Sequence, residues 1–206
     1  KENVPDTSFI ATPVLHNNTL FFCSGLSRAF AVDAETGEEL WVYDSEPDMA
    51  DTGTAKCRGV ALWEDTEEKG ACALRVFMGT LDGRLAAVDG NTGKPCADFG
   101  DNGTVDLREG LGPIIGNEMA VTSAPVVLGD VVINGAMIGD NNRVDPPGGV
   151  IRGWDARTGE LRWAFDPVPP GSPSPAEIGA PEGQRYHSGT PNVWTLIDVG
   201  SATPIA

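Results

Sequence analysis

The residues able to do chemistry fall in three short polar stretches and at one arginine. Asp140-Asn141-Asn142 supplies a carboxylate and two amides, with Arg143 and Asp145 close behind. A carboxylate joined by carbonyl oxygens is the hard-oxygen shell that Ca2+ or Mg2+ requires. Asp140 is therefore a candidate metal ligand, and Asn141 a second ligand or a hydrogen-bond donor. The same residues also suit a polar loop held by Asx-turns. Arg58 follows Cys57 at the start of an inner strand. A planar guanidinium grips a carboxylate through paired hydrogen bonds, although a rim arginine could equally pair with one of the chain's 30 Asp and Glu residues. Thr122-Ser123 lead into Ala124-Pro125-Val126-Val127, and Thr190 and Asn192 open Thr190-Pro191-Asn192-Val193-Trp194. Hydroxyls at the head of an innermost strand can donate to a ligand's oxygens, and they are also commonplace turn residues. His16 and His187 read as a turn residue and a loop residue, and neither is assigned to chemistry.

A repeated hairpin must position these groups. Ala31-Val32-Asp33-Ala34-Glu35-Thr36-Gly37 runs on to Leu40-Trp41, Ala87-Val88-Asp89-Gly90-Asn91-Thr92-Gly93 follows, and Gly153-Trp154-Asp155-Ala156-Arg157-Thr158-Gly159 runs on to Leu161-Arg162-Trp163. In each, a strand ends in Asp, the Asp side chain caps a tight turn, and Gly takes the positive φ that closes it. Copies about 56 and 66 residues apart, each closing a set of four short strands, are the mark of propeller blades. The expected fold is all-β, built of four-stranded antiparallel blades over about 8–44, 58–100 and 122–166, with a fourth starting at 188–206. In the second blade the closing strand is expected at Lys94-Pro95-Cys96 and is degraded, with Ala97 where the other repeats have Trp. The longer second interval reflects an inserted loop between Ile133 and Val150, and that loop holds Asp140. Roughly three and a half blades cannot close a ring, so the chain reads as part of a larger propeller.

The chain has 206 residues, is 40% hydrophobic, and contains 26 Gly and 16 Pro, which suits many short strands joined by turns. Its net charge of −16, with 14 Lys and Arg that never cluster, argues against nucleic acid or an anionic membrane surface. No apolar run approaches the ~20 residues of a membrane span. The chain opens on Lys1 without a signal-peptide pattern, as expected for a mature product or an excised piece. Its four cysteines lack C-x-x-C spacing, which argues against a zinc knuckle or a thioredoxin-like site. If the stretches beside Cys57 and Cys72 form the two arms of a hairpin, these two residues lie close enough for a disulfide. Buried free thiols are the alternative. An oxidised pair would place the protein in the periplasm or outside the cell.

The repeat resembles that of the quinoprotein dehydrogenases, eight-bladed propellers that carry pyrroloquinoline quinone (PQQ) at the ring axis. Their Ala-x-Asp-x-x-Thr-Gly-x-x-x-Trp phrase is present at 31–41 and 153–163 and partly at 87–97. Cys57-Arg58-Gly59-Val60, Gly93-Lys94-Pro95-Cys96-Ala97-Asp98-Phe99-Gly100 and Gly149-Val150-Ile151-Arg152-Gly153-Trp154-Asp155 look most similar to the membrane-type glucose and quinate dehydrogenases. The vicinal cysteine pair of the methanol and ethanol enzymes is absent. Thr54 stands where glucose-type relatives have His, and Asn192 where alcohol-oxidising relatives carry the Trp on which PQQ stacks.

The resemblance implies that Arg58 binds a PQQ carboxylate and that Thr122, Asn141, Thr190 and Asn192 line the cofactor. It also implies that Asp140 binds Ca2+ or Mg2+ and is not the general base. That base, an Asp, is expected beyond Ala206, so these 206 residues alone are expected to be inactive. The implied parent protein is a periplasmic dehydrogenase, either soluble or anchored to the inner membrane. It would move hydride from a sugar, polyol or cyclic hydroxy acid to the quinone and pass electrons to a quinone or cytochrome acceptor. The alternative from another class is a non-catalytic propeller scaffold of the outer-membrane assembly type.

Overall fold

Each repeated hairpin closes through the same hydrogen bonds. Asp33 Oδ1 accepts the Glu35 and Thr36 amides at 3.0 and 2.8 Å and the Thr36 hydroxyl at 2.9 Å. Asp89 repeats the pattern with Asn91 and Thr92, and Asp155 with the amides of Arg157 and Thr158. Gly37, Gly93 and Gly159 follow with φ of +74°, +69° and +74°, a region that costs a residue with a Cβ about 1–2 kcal/mol. Three distant segments thus make one turn because they share one side-chain acceptor and one glycine.

The computed structural model describes residues 7–48, 55–139, 143–189 and 192–193. The chain enters as β1 (Thr7–Thr12) and forms the first blade from β2 (Val14–His16), β3 (Thr19–Cys23), β4 (Arg28–Asp33) and β5 (Glu39–Asp44). Strand β6 (Ala55–Gly59) then pairs in parallel with β1, Phe9 lying opposite Cys57 and Thr12 opposite Gly59. The second blade comprises β7 (Ala61–Glu64), β8 (Leu74–Gly79), β9 (Arg84–Asp89) and β10 (Thr104–Asp106). A short β11 (Met119–Ala120) precedes the third blade, which comprises β12 (Val126–Leu128), β13 (Val131–Asn134), β15 (Ile151–Asp155) and β16 (Leu161–Phe165). Between β13 and β15, β14 (Met137–Ile138) pairs back onto β11. The three blades are antiparallel meanders, as expected.

The closing strand of the second blade differs from the sequence expectation. Lys94-Pro95-Cys96 forms no full strand: the Asp89 amide donates to Lys94 O, Pro95 bridges Val88, and the Cys96 amide donates to Ala87 O. Pro95 has no N–H to continue the ladder. The chain loops out over 97–102 and resumes when the Ala87 amide donates to Gly103 O, leading into β10.

Burial reports how the blades stack. Strands β8 and β9 are buried almost without interruption, because the middle blade has a neighbour on each face. One cluster joining the first and second blades includes Phe21, Trp41, Val76, Met78 and Val88. Another, joining the second and third, includes Trp63, Phe77, Phe99, Val132 and Trp154. By contrast, all of β16 is exposed.

Trp41 keys the first junction. Its indole N–H donates to Gly90 O at 2.9 Å in the next blade's turn, and a Cβ on Gly93 would lie 2.7 Å from its ring. At the second junction, where Ala97 replaces Trp, backbone does the same work. The Gly100 amide donates to Thr158 O at 2.9 Å, and a Cβ on Gly159 would come within 2.8 Å of Gly100 N.

The cysteines pair as Cys23–Cys57 and Cys72–Cys96, so the expected Cys57–Cys72 bridge is corrected. Cys57 is not on a hairpin arm: the hairpin begins at Ala61, and Cys57 lies on β6, beside the end of β3 where Cys23 sits. Cys72 instead meets Cys96, which follows the second Thr-Gly turn.

Candidate functional site

Arg58 and Thr122 are 64 residues apart in sequence and in direct contact. The Arg58 amide donates to Thr122 O at 3.0 Å, and its Nη1 donates to Thr122 Oγ1 at 2.7 Å. Local structure explains the meeting. Strand β6 is held by β1 on one side and by the Cys23–Cys57 bond to the first blade, leaving Arg58 half-buried between buried Cys57 and Gly59. Thr122 follows β11 and is 4% exposed. The Val121 amide donates to Thr80 O at 3.0 Å, and Val121 packs so tightly on Gly79 that a Cβ there would overlap it at 2.2 Å. The first blade, the second blade and the segment leading into the third therefore all contribute to placing one guanidinium against one hydroxyl.

Beside this pair, Ser123 is 4% exposed, and its hydroxyl has no hydrogen-bond partner among the described residues. A buried hydroxyl without a partner is costly unless a ligand or water satisfies it. The β11–β14 ladder pairs Ala120 with Met137, setting the chain that ends in Thr122 alongside the chain that begins at Gly135. Val193 O packs against Gly135, where a Cβ would stand 2.1 Å away. Asn192 is thereby brought to the end of β13, in the third blade, while Asp140, Asn141 and Thr190 lie outside the described residues, as do Thr54 and Trp194.

The residues flanking 140–142 share one anchor that sequence reasoning did not single out. Glu118 O accepts the Gly139 amide at 2.7 Å. The buried Glu118 carboxylate lies 2.9 Å from Arg143 Nε and accepts the Ile115 amide at 3.0 Å. Arg143 Nη2 also donates to Pro113 O at 2.6 Å. Glu118 has no motif around it, so no local signal could have found it. Arg152 was likewise unassigned. Burial pushes its guanidinium below the usual range, and it donates to Leu107 O and Glu109 O, both at 2.7 Å, beneath the Tyr186 ring. It fastens the connection between the second and third blades and is structural.

The chemistry on offer is clear from these groups. A guanidinium and a hydroxyl side by side, with a second hydroxyl unsatisfied nearby, form a donor set for carboxylate or carbonyl oxygens of a ligand.

Four-stranded blades keyed to one another by Asp-x-x-Thr-Gly turns define a β-propeller of the quinoprotein type. The chain belongs to the PQQ family described as the glucose/ethanol/alcohol dehydrogenase beta-propeller domain, whose model matches residues 1–205. It is 40% identical to quinate/shikimate dehydrogenase (quinone) of Acinetobacter baylyi over 90% of this chain and 24% of that protein. It is 35% identical to quinoprotein glucose dehydrogenase of Gluconobacter oxydans over 90% of this chain and 24% of that protein. Among solved structures, quinohemoprotein alcohol dehydrogenase from Comamonas testosteroni superposes with a TM-score of 0.64 at 30% identity, covering 82% of this chain and 23% of that one. The chain thus spans about a quarter of the length of the relatives it matches.

Proposed function

We propose that the chain is part of a PQQ-dependent dehydrogenase that oxidises a sugar, polyol or cyclic hydroxy acid. The observation that carries this reading is the Arg58–Thr122 contact, in a chain of this family. The residues present fit the cofactor: PQQ bears carboxylates, and the cluster offers a guanidinium, a hydroxyl and the unsatisfied hydroxyl of Ser123. When bound, PQQ supplies the two-electron acceptor for the substrate's hydroxyl-bearing carbon.

The chain's own residues bind and orient. Arg58 holds a carboxylate, and Thr122 fixes the direction of the guanidinium. Asn192 and Thr190 extend the lining from the segment at the end of the described chain. Asp140, with Asn141, offers the oxygen ligands for Ca2+ or Mg2+. In this scheme the proton-accepting Asp belongs to a later part of the propeller. Two disulfides favour an oxidising compartment, and we place the parent protein in the periplasm. The similarity to a quinate/shikimate dehydrogenase (quinone) favours a quinone as electron acceptor.

Calorimetry of the parent protein with PQQ and Ca2+ tests the reading. Saturable heat that Arg58→Ala weakens is expected. No heat of binding would instead favour a scaffold propeller. The 206-residue polypeptide alone should reduce no dye with PQQ, Ca2+ and glucose or quinate.

A further inference from the structure

We propose that the Cys23–Cys57 disulfide is a positioning element of the cofactor site: it holds the Arg58 guanidinium against Thr122, so breaking it weakens PQQ binding while the blades stay folded. The proposal rests on the reading of Arg58 and Thr122 given above. Its grounds are geometric. Cys57 is the residue before Arg58, and its partner Cys23 closes β3 in the first blade. Both are buried, at 3% and 0% exposure.

Strand β6 lies outside the blades, although Ala55 at its start packs with Leu81 and Ala120. It belongs to a two-stranded sheet with β1, whose register shifts between Phe9 and Thr12, and to none of the four-stranded blades. A two-stranded ribbon is marginal without further support. On the far side, Arg58 meets Thr122, in the segment that leads from β11 into the third blade, through its amide and its Nη1. The disulfide therefore ties to the first blade the very strand whose arginine reaches the segment leading into the third. Cys72–Cys96 closes a comparable loop, 24 residues against 34, but sits in the second blade beside its Thr-Gly turn. Disulfides closing loops of such similar length should stabilise the fold to a similar degree, so the second bond controls for stability alone.

The experiment uses the parent protein in five forms: wild type, C23A/C57A, C72A/C96A, R58A and the triple variant R58A/C23A/C57A. Fluorescence titration with PQQ and Ca2+ gives the dissociation constant, and thermal melting gives stability. The expected result is about a tenfold or greater weakening in C23A/C57A and in R58A, the range for losing a charge-assisted hydrogen bond. C72A/C96A should bind within about threefold of wild type. The triple variant R58A/C23A/C57A should bind no worse than R58A, because a bond that acts through Arg58 has nothing left to position.

Wild-type affinity in C23A/C57A, equal weakening in both cysteine variants, or additive losses in the triple variant would each overturn the proposal. Should C23A/C57A fail to fold, folded C72A/C96A protein treated with tris(2-carboxyethyl)phosphine serves instead. There one water is consumed: the phosphine takes its oxygen to become the oxide, and Cys23–Cys57 is reduced to two thiols that take its two protons. A second readout needs no cofactor: labelling of Arg58 by phenylglyoxal, followed by mass spectrometry, should accelerate only when Cys23–Cys57 is broken. Absence of PQQ binding in wild type would sink the functional reading, and the labelling would still decide whether the disulfide holds Arg58.

Discussion

Alanine placed at the same glycine in each of the three turns separates the strain of the turn from the contact between blades. Gly37, Gly93 and Gly159 share a left-handed backbone, with φ of +74°, +69° and +74°. Their surroundings differ. A Cβ at Gly37 meets nothing within 4 Å, at Gly93 it would lie 2.7 Å from the Trp41 ring, and at Gly159 it would lie 2.8 Å from Gly100 N. The left-handed penalty of about 1–2 kcal/mol, reduced by the lower entropy of the unfolded alanine chain, leaves about 1 kcal/mol for Gly37→Ala. Overpacking adds about 1–3 kcal/mol, so Gly93→Ala should cost about 2–4 kcal/mol. Gly159→Ala should cost at least as much, because the atom it meets is backbone and cannot rotate away. Urea unfolding of the 206-residue polypeptide should show these differences as shifts in midpoint at constant m. Thermal midpoints should fall by about 2–4 °C per kcal/mol at this chain length. Equal losses at all three glycines would refute the close docking of blade on turn.

Trp41→Ala removes a nearly buried indole and its bond to Gly90 O, and chemical denaturation should register a loss of about 3–5 kcal/mol. Trp163→Ala, at a ring 40% exposed in this chain, should cost far less in the same polypeptide. His187 is raised above its ordinary pKa by its hydrogen bond to Asp166, with Pro173 O assisting. Its contribution to stability is thus complete below about pH 6.5 and lost as pH rises through the higher folded value. An NMR titration should show that elevation, and Asp166→Asn should remove most of it, leaving the smaller part owed to Pro173 O. Asp65 has the opposite sign. The Arg157 hydrogen bonds hold its carboxyl well below the usual carboxylate range, so its contribution is present above about pH 4 and lost as pH falls through the depressed value. Asp65→Asn should therefore lower the urea midpoint at pH 6 and converge toward wild type near pH 2.

The blades were legible because their defining turn is local. Asp33 caps Glu35 and Thr36 through bonds that span only two or three residues, so the signal survives in any short window. The end of the second blade was less legible because Pro95 and the 97–102 excursion break the period, while Thr104–Asp106 carries no repeat signal of its own. Disulfide pairing was out of reach, since four cysteines allow three connectivities and the choice depends on β6 lying beside β3 rather than heading the second blade. Arg58 and Thr122 were each identified through the family resemblance. Their mutual contact was not, because it depends on how β6 and the segment after β11 converge. Glu118 remained invisible because a buried acid with an arginine partner has no signature in a chain holding 30 acidic residues.

The two junctions between blades also differ in how freely they could be shuffled. At the first, Trp41 recognises a carbonyl and a glycine in the next turn, features shared by any copy of the Asp-x-x-Thr-Gly hairpin. Such a joint is generic: a duplicated blade could be inserted there and still find its socket. The second joint is private. It uses the 97–102 excursion of one blade to reach Thr158 of the next, so a blade lacking that excursion would dock there without this bond. A propeller grown by duplication would favour keeping that pair in order while its other members diverge, multiply or exchange places.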